Sequence, residues 1–130
     1  MEKQNKTNAL KEEEKDILNA LKNYRGTENY NQIPFSKYVY TDGINALIEL
    51  CECWWLISDL GIEINALTRL QKPFILVNIK VNEDKSALIT MKEDNGLKPF
   101  YQKKISYTDF KLNEYGFYIC DNVMLLKSEY

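Results

Sequence analysis

The sequence has no histidine, only two arginines among its seventeen basic residues, and five glycines in 130 residues. Each shortage removes a class of function. Without histidine there is no Ser-His or Cys-His nucleophile pair, no imidazole general base and no imidazole zinc ligand. Five scattered glycines form no Gly-x-Gly-x-x-Gly, phosphate-loop or nucleophile-elbow pattern, so no nucleotide cofactor is expected. Scarce arginine removes the preferred bidentate reader of phosphates and base edges. A formal charge of −2 excludes a strongly basic nucleic-acid binder. No apolar run approaches the roughly 20 residues of a membrane-spanning helix. The charged start, Met1-Glu2-Lys3-Gln4-Asn5-Lys6, is unlike an export signal. Three cysteines cannot all pair, and Cys51 and Cys53 are too close for an ordinary bridge. Free thiols in a reducing cytoplasm are the expectation.

What is present has two periodicities. After a flexible stretch over residues 1–6, a single domain is expected over 7–130. Thr7 or Asn8 opens a helix that reaches about Tyr24, with Leu10, Ile17, Leu18, Leu21 and Tyr24 on one stripe. Arg25 to Tyr38 reads as a connection, in which Pro34 biases Ile33 toward extended backbone. Thr41-Asp42-Gly43 then caps a second helix. Its residues Ile44, Leu47, Ile48, Cys51, Trp54, Trp55 and Ser58 follow the helical period. Leu50, Leu56 and Ile57 make that helix apolar nearly all round, so one buried core helix is expected to end near Gly61. Residues 62–70 offer a further short helix before Pro73.

From Pro73 the period falls to two. Ile75 to Val81 and Ala87 to Met91 form a hairpin around Glu83-Asp84-Lys85, and Asp94-Asn95-Gly96 makes a second turn. Phe100 to Ile105 is the next strand, and Phe117–Cys120 and Val123–Leu126 close a hairpin around Asp121-Asn122. Helices followed by closely joined strands define an α+β fold: two or three helices on a four- or five-stranded antiparallel sheet.

Chemistry-bearing constellations are few. Two side chains two residues apart on a helix point about 200° apart, so Cys51 and Cys53 cannot share one tetrahedral ion, and all three thiols read as small buried hydrophobes. Asp42 and Asp109 stand where caps and turns want Asp, within the repeated tripeptide Tyr40-Thr41-Asp42 and Tyr107-Thr108-Asp109. No metal and no catalytic residue is assigned. The densest feature is the aromatic stretch Tyr24, Tyr30, Phe35, Tyr38 and Tyr40 beside Arg25, Glu28 and Asn29, a composition typical of protein-binding surfaces. The alternative is a loop that tucks its rings over the helices. Candidate contact residues are Tyr30, Tyr38, Tyr40, Trp54 and Asp109. A second reading is single-stranded nucleic-acid binding by Lys98, Lys103, Lys104 and Lys111, interleaved with Phe100, Tyr101, Tyr107 and Phe110. A third is a small enzyme using Glu, Asp or Tyr.

Gly26-Thr27-Glu28-Asn29-Tyr30, Val39-Tyr40-Thr41-Asp42-Gly43 and Trp55-Leu56-Ile57-Ser58-Asp59 together resemble a family of small bacterial and phage proteins of unknown function. Lys80-Val81-Asn82-Glu83-Asp84, Tyr107-Thr108-Asp109-Phe110 and the ending Leu125-Leu126-Lys127-Ser128-Glu129-Tyr130 extend the resemblance over most of residues 22–130; Gly61 to Leu70 departs from it. In size, charge and absence of catalytic motifs the chain also resembles anti-CRISPR proteins. That resemblance implies a non-enzymatic phage or mobile-element inhibitor. Its implied partner is a host defence nuclease, such as a type VI RNA-guided RNA nuclease with or without its guide RNA, bound through tyrosines and acidic side chains at the basic nucleic-acid channel.

Overall fold

The computed structural model describes residues 2–26, 28–66, 73–93, 96 and 98–130. In chain order these form α1 (Glu2–Lys22), β1 (Tyr30–Gln32), β2 (Val39–Thr41), α2 (Asp42–Cys51), α3 (Trp54–Ala66), β3 (Phe74–Val81), β4 (Ala87–Lys92), β5 (Tyr101–Ile105), β6 (Glu114–Cys120) and β7 (Val123–Leu125). A 3₁₀ turn, Lys127–Glu129, follows. The fold is α+β, with one seven-stranded sheet ordered β1-β2-β7-β6-β3-β4-β5.

Alternation sorts the sheet into two faces. Ile75, Val77 and Ile79 of β3 are buried, as are Ala87, Ile89 and Met91 of β4 and Phe117 and Ile119 of β6. Their registers superpose: Val77 stands between Met91 and Phe117, and Ile75 beside Ile119. Ile44, Leu47, Leu56, Ile57 and Leu60 of α2 and α3 complete this core. Asp121 and Asn122 both take positive φ (48° and 72°) in the β6–β7 turn, as a tight hairpin requires.

Three features differ from expectation. The core helix is two helices. Glu52 adopts the left-handed conformation (φ 52°, ψ 46°) and ends α2, its N–H donating to Ile48 O. Cys53 N–H also donates to Ile48 O, and Leu56 N–H to Cys53 O begins α3. The apolar period runs straight through the break because Cys51 and Cys53 are both buried while Glu52 reaches solvent. The connection between α1 and α2 contains two three-residue strands, which raises the strand count to seven. β2 pairs in parallel with β7, so the sheet is mostly rather than wholly antiparallel. In addition, α1 begins ahead of Thr7, and α3 runs past Gly61 to Ala66; residues 67–72, with Asp94 and Asn95 of the expected second turn, lie outside the described residues.

The chain's last residues fasten the helices. Thr41 Oγ1 accepts from Ile44 N–H as the N-cap of α2 and donates to Glu129 Oε1 at 2.6 Å. Glu129 also accepts from Gly43 N–H and Leu126 N–H. A carboxylate thus sits on the positive end of α2. Ser128 Oγ donates to Tyr24 O at 2.6 Å, beside the end of α1. The second Tyr-Thr-Asp uses its hydroxyl similarly: Thr108 Oγ1 accepts from Phe110 N–H.

The buried thiols give the core a pH dependence. Burial pushes Cys51 up to about 11 and Cys53 up to about 12 from an ordinary value of 9.0. Folded thiols therefore stay protonated where unfolded ones ionise. Below about pH 9 neither state loses the proton; above it the unfolded state binds fewer protons, and stability falls until the folded values are reached. Melting temperature is expected to decline from about pH 9 upward, and Cys53→Ala is expected to flatten that slope. Equal slopes for the two proteins, measured by circular dichroism between pH 8 and 11, would contradict it.

Candidate protein-binding surface

The β1–β2 connection is a built loop. Ser36 N–H donates to Ile33 O (3.2 Å) and closes a four-residue turn with Pro34 second and Phe35 third. Phe35 has φ 62°, as the third position of a type II turn demands and as glycine normally supplies. Holding a phenylalanine there costs about 1–2 kcal/mol. The loop is over-determined to do so. Ile33 N–H donates to Tyr38 O, Tyr38 N–H to Ser36 Oγ, and Ser36 Oγ to Ile33 O. Gln32 Nε2 adds bonds to Ser36 O and Tyr38 O. Ile33 and Tyr38 are buried anchors, and between them the Phe35 ring is 95% exposed.

Helix α3 supports this loop at Gly61. A Cβ there would stand 2.9 Å from Ile33 Cγ2 and 3.1 Å from its Cδ1. Gly61→Val is therefore expected to push the loop off the helix at about 1–3 kcal/mol, the usual penalty of overpacking. Urea unfolding and faster proteolytic cleavage within residues 33–38 check it; an unchanged midpoint and cleavage rate would contradict it. α3 also exposes Ile62 and Trp54, the latter with its ring edge-on to Tyr40, centroids 5.7 Å apart.

The five residues chosen from sequence are only partly brought together. Tyr40 and Trp54 touch. Tyr30 is 59% exposed on the adjoining strand, but it is opposite Thr41 in the register and so faces away from Tyr40. Tyr38 is a correction: it is buried, its hydroxyl raised above its usual value by that burial, and it anchors the loop instead of contacting a partner. Asp109 lies elsewhere, in a groove between α3 and β5. Phe35 is the residue that the selection passed over. Its signal was the Pro34-Phe35 pair, an aromatic in the turn position where glycine is the rule.

The α3–β5 groove encloses about 560 Å³ and is lined by Trp55, Asp59, Tyr101, Lys103, Tyr107 and Asp109. Two of its polar side chains are already engaged. Lys103 Nζ is 3.8 Å from Glu63, and Tyr107 OH donates to Asp109 at 2.9 Å. Burial, then Glu63 and Asp59, raise the Tyr101 hydroxyl. The lysine set proposed for nucleic acid is divided. Both Lys103 and Lys104 border this groove, but strand alternation places Lys103 on the core face toward it and Lys104 on the opposite face of the sheet. Lys111 stands 3.9 Å from both Glu13 and Glu52, and Lys98 precedes β5 in an exposed segment. Phe110, counted as part of that platform, is buried. Among the described residues no three His, Cys, Asp or Glu side chains gather as metal ligands, and no helix is long and apolar enough to cross a membrane.

The fold and this surface define an α+β domain with a rigid aromatic loop. Residues 15–130 match a family of unknown function, DUF6876, and the chain belongs to that family. No curated protein and no solved structure matches it.

Proposed function

We propose that this protein is a non-enzymatic binding module that docks onto another protein through the β1–β2 loop, with Phe35 as the central anchor and Trp54 and Tyr40 beside it. The observation that carries this is the fully exposed Phe35 ring, held at positive φ by six side-chain and backbone hydrogen bonds around buried Ile33 and Tyr38. Neither solvation nor folding rewards that arrangement. Burial against a partner does, since aromatic anchors dominate interface energies and a pre-ordered loop loses little entropy on binding. For the partner we propose a host defence nuclease, a choice supported by the resemblance in size, charge and motif-poor sequence to small inhibitors of such enzymes.

A photo-crosslinking phenylalanine analogue at position 35 tests the surface in bacterial cells that express candidate defence nucleases. One protein adduct is expected from position 35 and none from a control at the exposed Lys15. No adduct, or the same adducts from both positions, would overturn the proposal.

A further inference from the structure

The sheet face opposite the α2–α3 core is not occupied by those helices; it carries the C-terminal 3₁₀ turn. On it three rings meet: Phe74 and Tyr118 at 4.9 Å, Phe74 and Tyr130 at 5.5 Å, Tyr118 and Tyr130 at 5.4 Å between centroids. Tyr130 is 74% exposed. Lys127 Nζ lies 5.7 Å from the Tyr118 ring centre and close above Gly116, where a Cβ would be 3.1 Å from it. Next to the rings is a cleft of about 390 Å³ with Gly116 and Asn78 among its lining, and Lys22, Lys127 and Glu114 on its walls. Register places Lys80, Lys92 and Lys104 on the same face. Glu114, opposite Lys80, is the carboxylate that the strands β3 to β6 contribute there.

We infer that this face binds single-stranded nucleic acid, with bases stacked on Tyr118 and Tyr130 and phosphates tracked by Lys127, Lys22 and the strand lysines. The charge balance of the face carries the assignment to a polyanion: Lys22, Lys80, Lys92, Lys104 and Lys127 stand there against Glu114, around the half-buried Tyr118 and the exposed Tyr130. The aromatic cluster selects a single strand: every base has a face to stack, and a duplex keeps its bases stacked on each other. Asn78 adds an amide at the cleft able to meet a base edge. The surface is separate from the Phe35 loop, and of the lysines singled out from the sequence it uses Lys104 alone, not Lys98, Lys103 or Lys111.

The test is anisotropy with a labelled 12-nucleotide oligouridylate, a duplex of equal length, and polyglutamate as competitor, using the full chain. The oligouridylate is expected to bind, the duplex more weakly, and polyglutamate to compete poorly. Tyr130→Ala, at a site too exposed to threaten folding, is expected to weaken binding about tenfold, within the range for one stacked base. Lys104→Ala with Lys127→Ala is expected to reduce the salt slope by about 1.4, for two lost phosphate contacts. Phe35→Gly is expected to leave nucleic-acid binding unchanged, which keeps this result independent of the protein-binding one. No binding at 50 mM salt, equal affinity for the duplex, efficient competition by polyglutamate, or an unaffected Tyr130→Ala would each overturn the inference.

Discussion

Gly43→Ala is expected to destabilise the protein by about 3–4 kcal/mol, although alanine in a helix ordinarily gains about 0.5–1 kcal/mol over glycine. The added Cβ would stand 2.2 Å from Glu129 Oε1 and 2.8 Å from Leu126 Cδ1. Glu129 cannot step aside freely, because its carboxylate holds the Thr41 hydroxyl and the N–H groups of Gly43 and Leu126. Hydrogen bonds to a charged group contribute about 1.5–3 kcal/mol each, and displacing the carboxylate weakens three at once. Such a loss is a large part of a typical 5–15 kcal/mol stability. Urea denaturation of Gly43→Ala, Glu129→Ala and the double variant measures it. The double variant is expected to be little worse than Glu129→Ala alone, since both changes act on one contact. A loss under about 1 kcal/mol for Gly43→Ala, or full additivity, would contradict this account of the C-terminal residues.

Phe35→Gly is expected to do the reverse: keep or raise stability while removing partner binding. Glycine occupies φ 62° without the steric penalty that phenylalanine bears, so a gain of about 1 kcal/mol is expected. The ring, 95% exposed, contributes no core contact to lose. Truncating a central aromatic anchor costs an interface about 2–4 kcal/mol, or roughly 30- to 1,000-fold in affinity. A residue whose removal stabilises the fold and abolishes binding is the signature of a site maintained for a partner.

Much of the scaffold was legible because its signals are local. The alternation of Ile75, Val77 and Ile79, the Asp121-Asn122 turn and the Thr41-Asp42-Gly43 cap each depend on neighbours in the chain. What was illegible depends on distant residues. Nothing near Glu52 announces a helix end: it takes the left-handed conformation without being glycine or asparagine. β1 and β2 have three residues each, too few to alternate, and β2 exists through its parallel pairing with β7 more than eighty positions later. The fastening of Thr41 and Gly43 by Glu129 explains why the Val39–Gly43 stretch and the chain's ending belong to one structural unit. For the candidate surface, tyrosine density marks the segment but cannot sort its side chains. Exposure decides that, and Tyr38 is inside while Phe35 is outside.

The most direct test of the protein-binding account is a paired capture. Tagged wild-type protein and Phe35→Gly, both shown to be folded by circular dichroism, are incubated with lysates expressing defence nucleases, with and without added DNase and RNase before washing. One protein retained by the wild type after digestion and lost with Phe35→Gly is the expected result. Equal capture by both, or capture that disappears on digestion, would contradict docking through the β1–β2 loop.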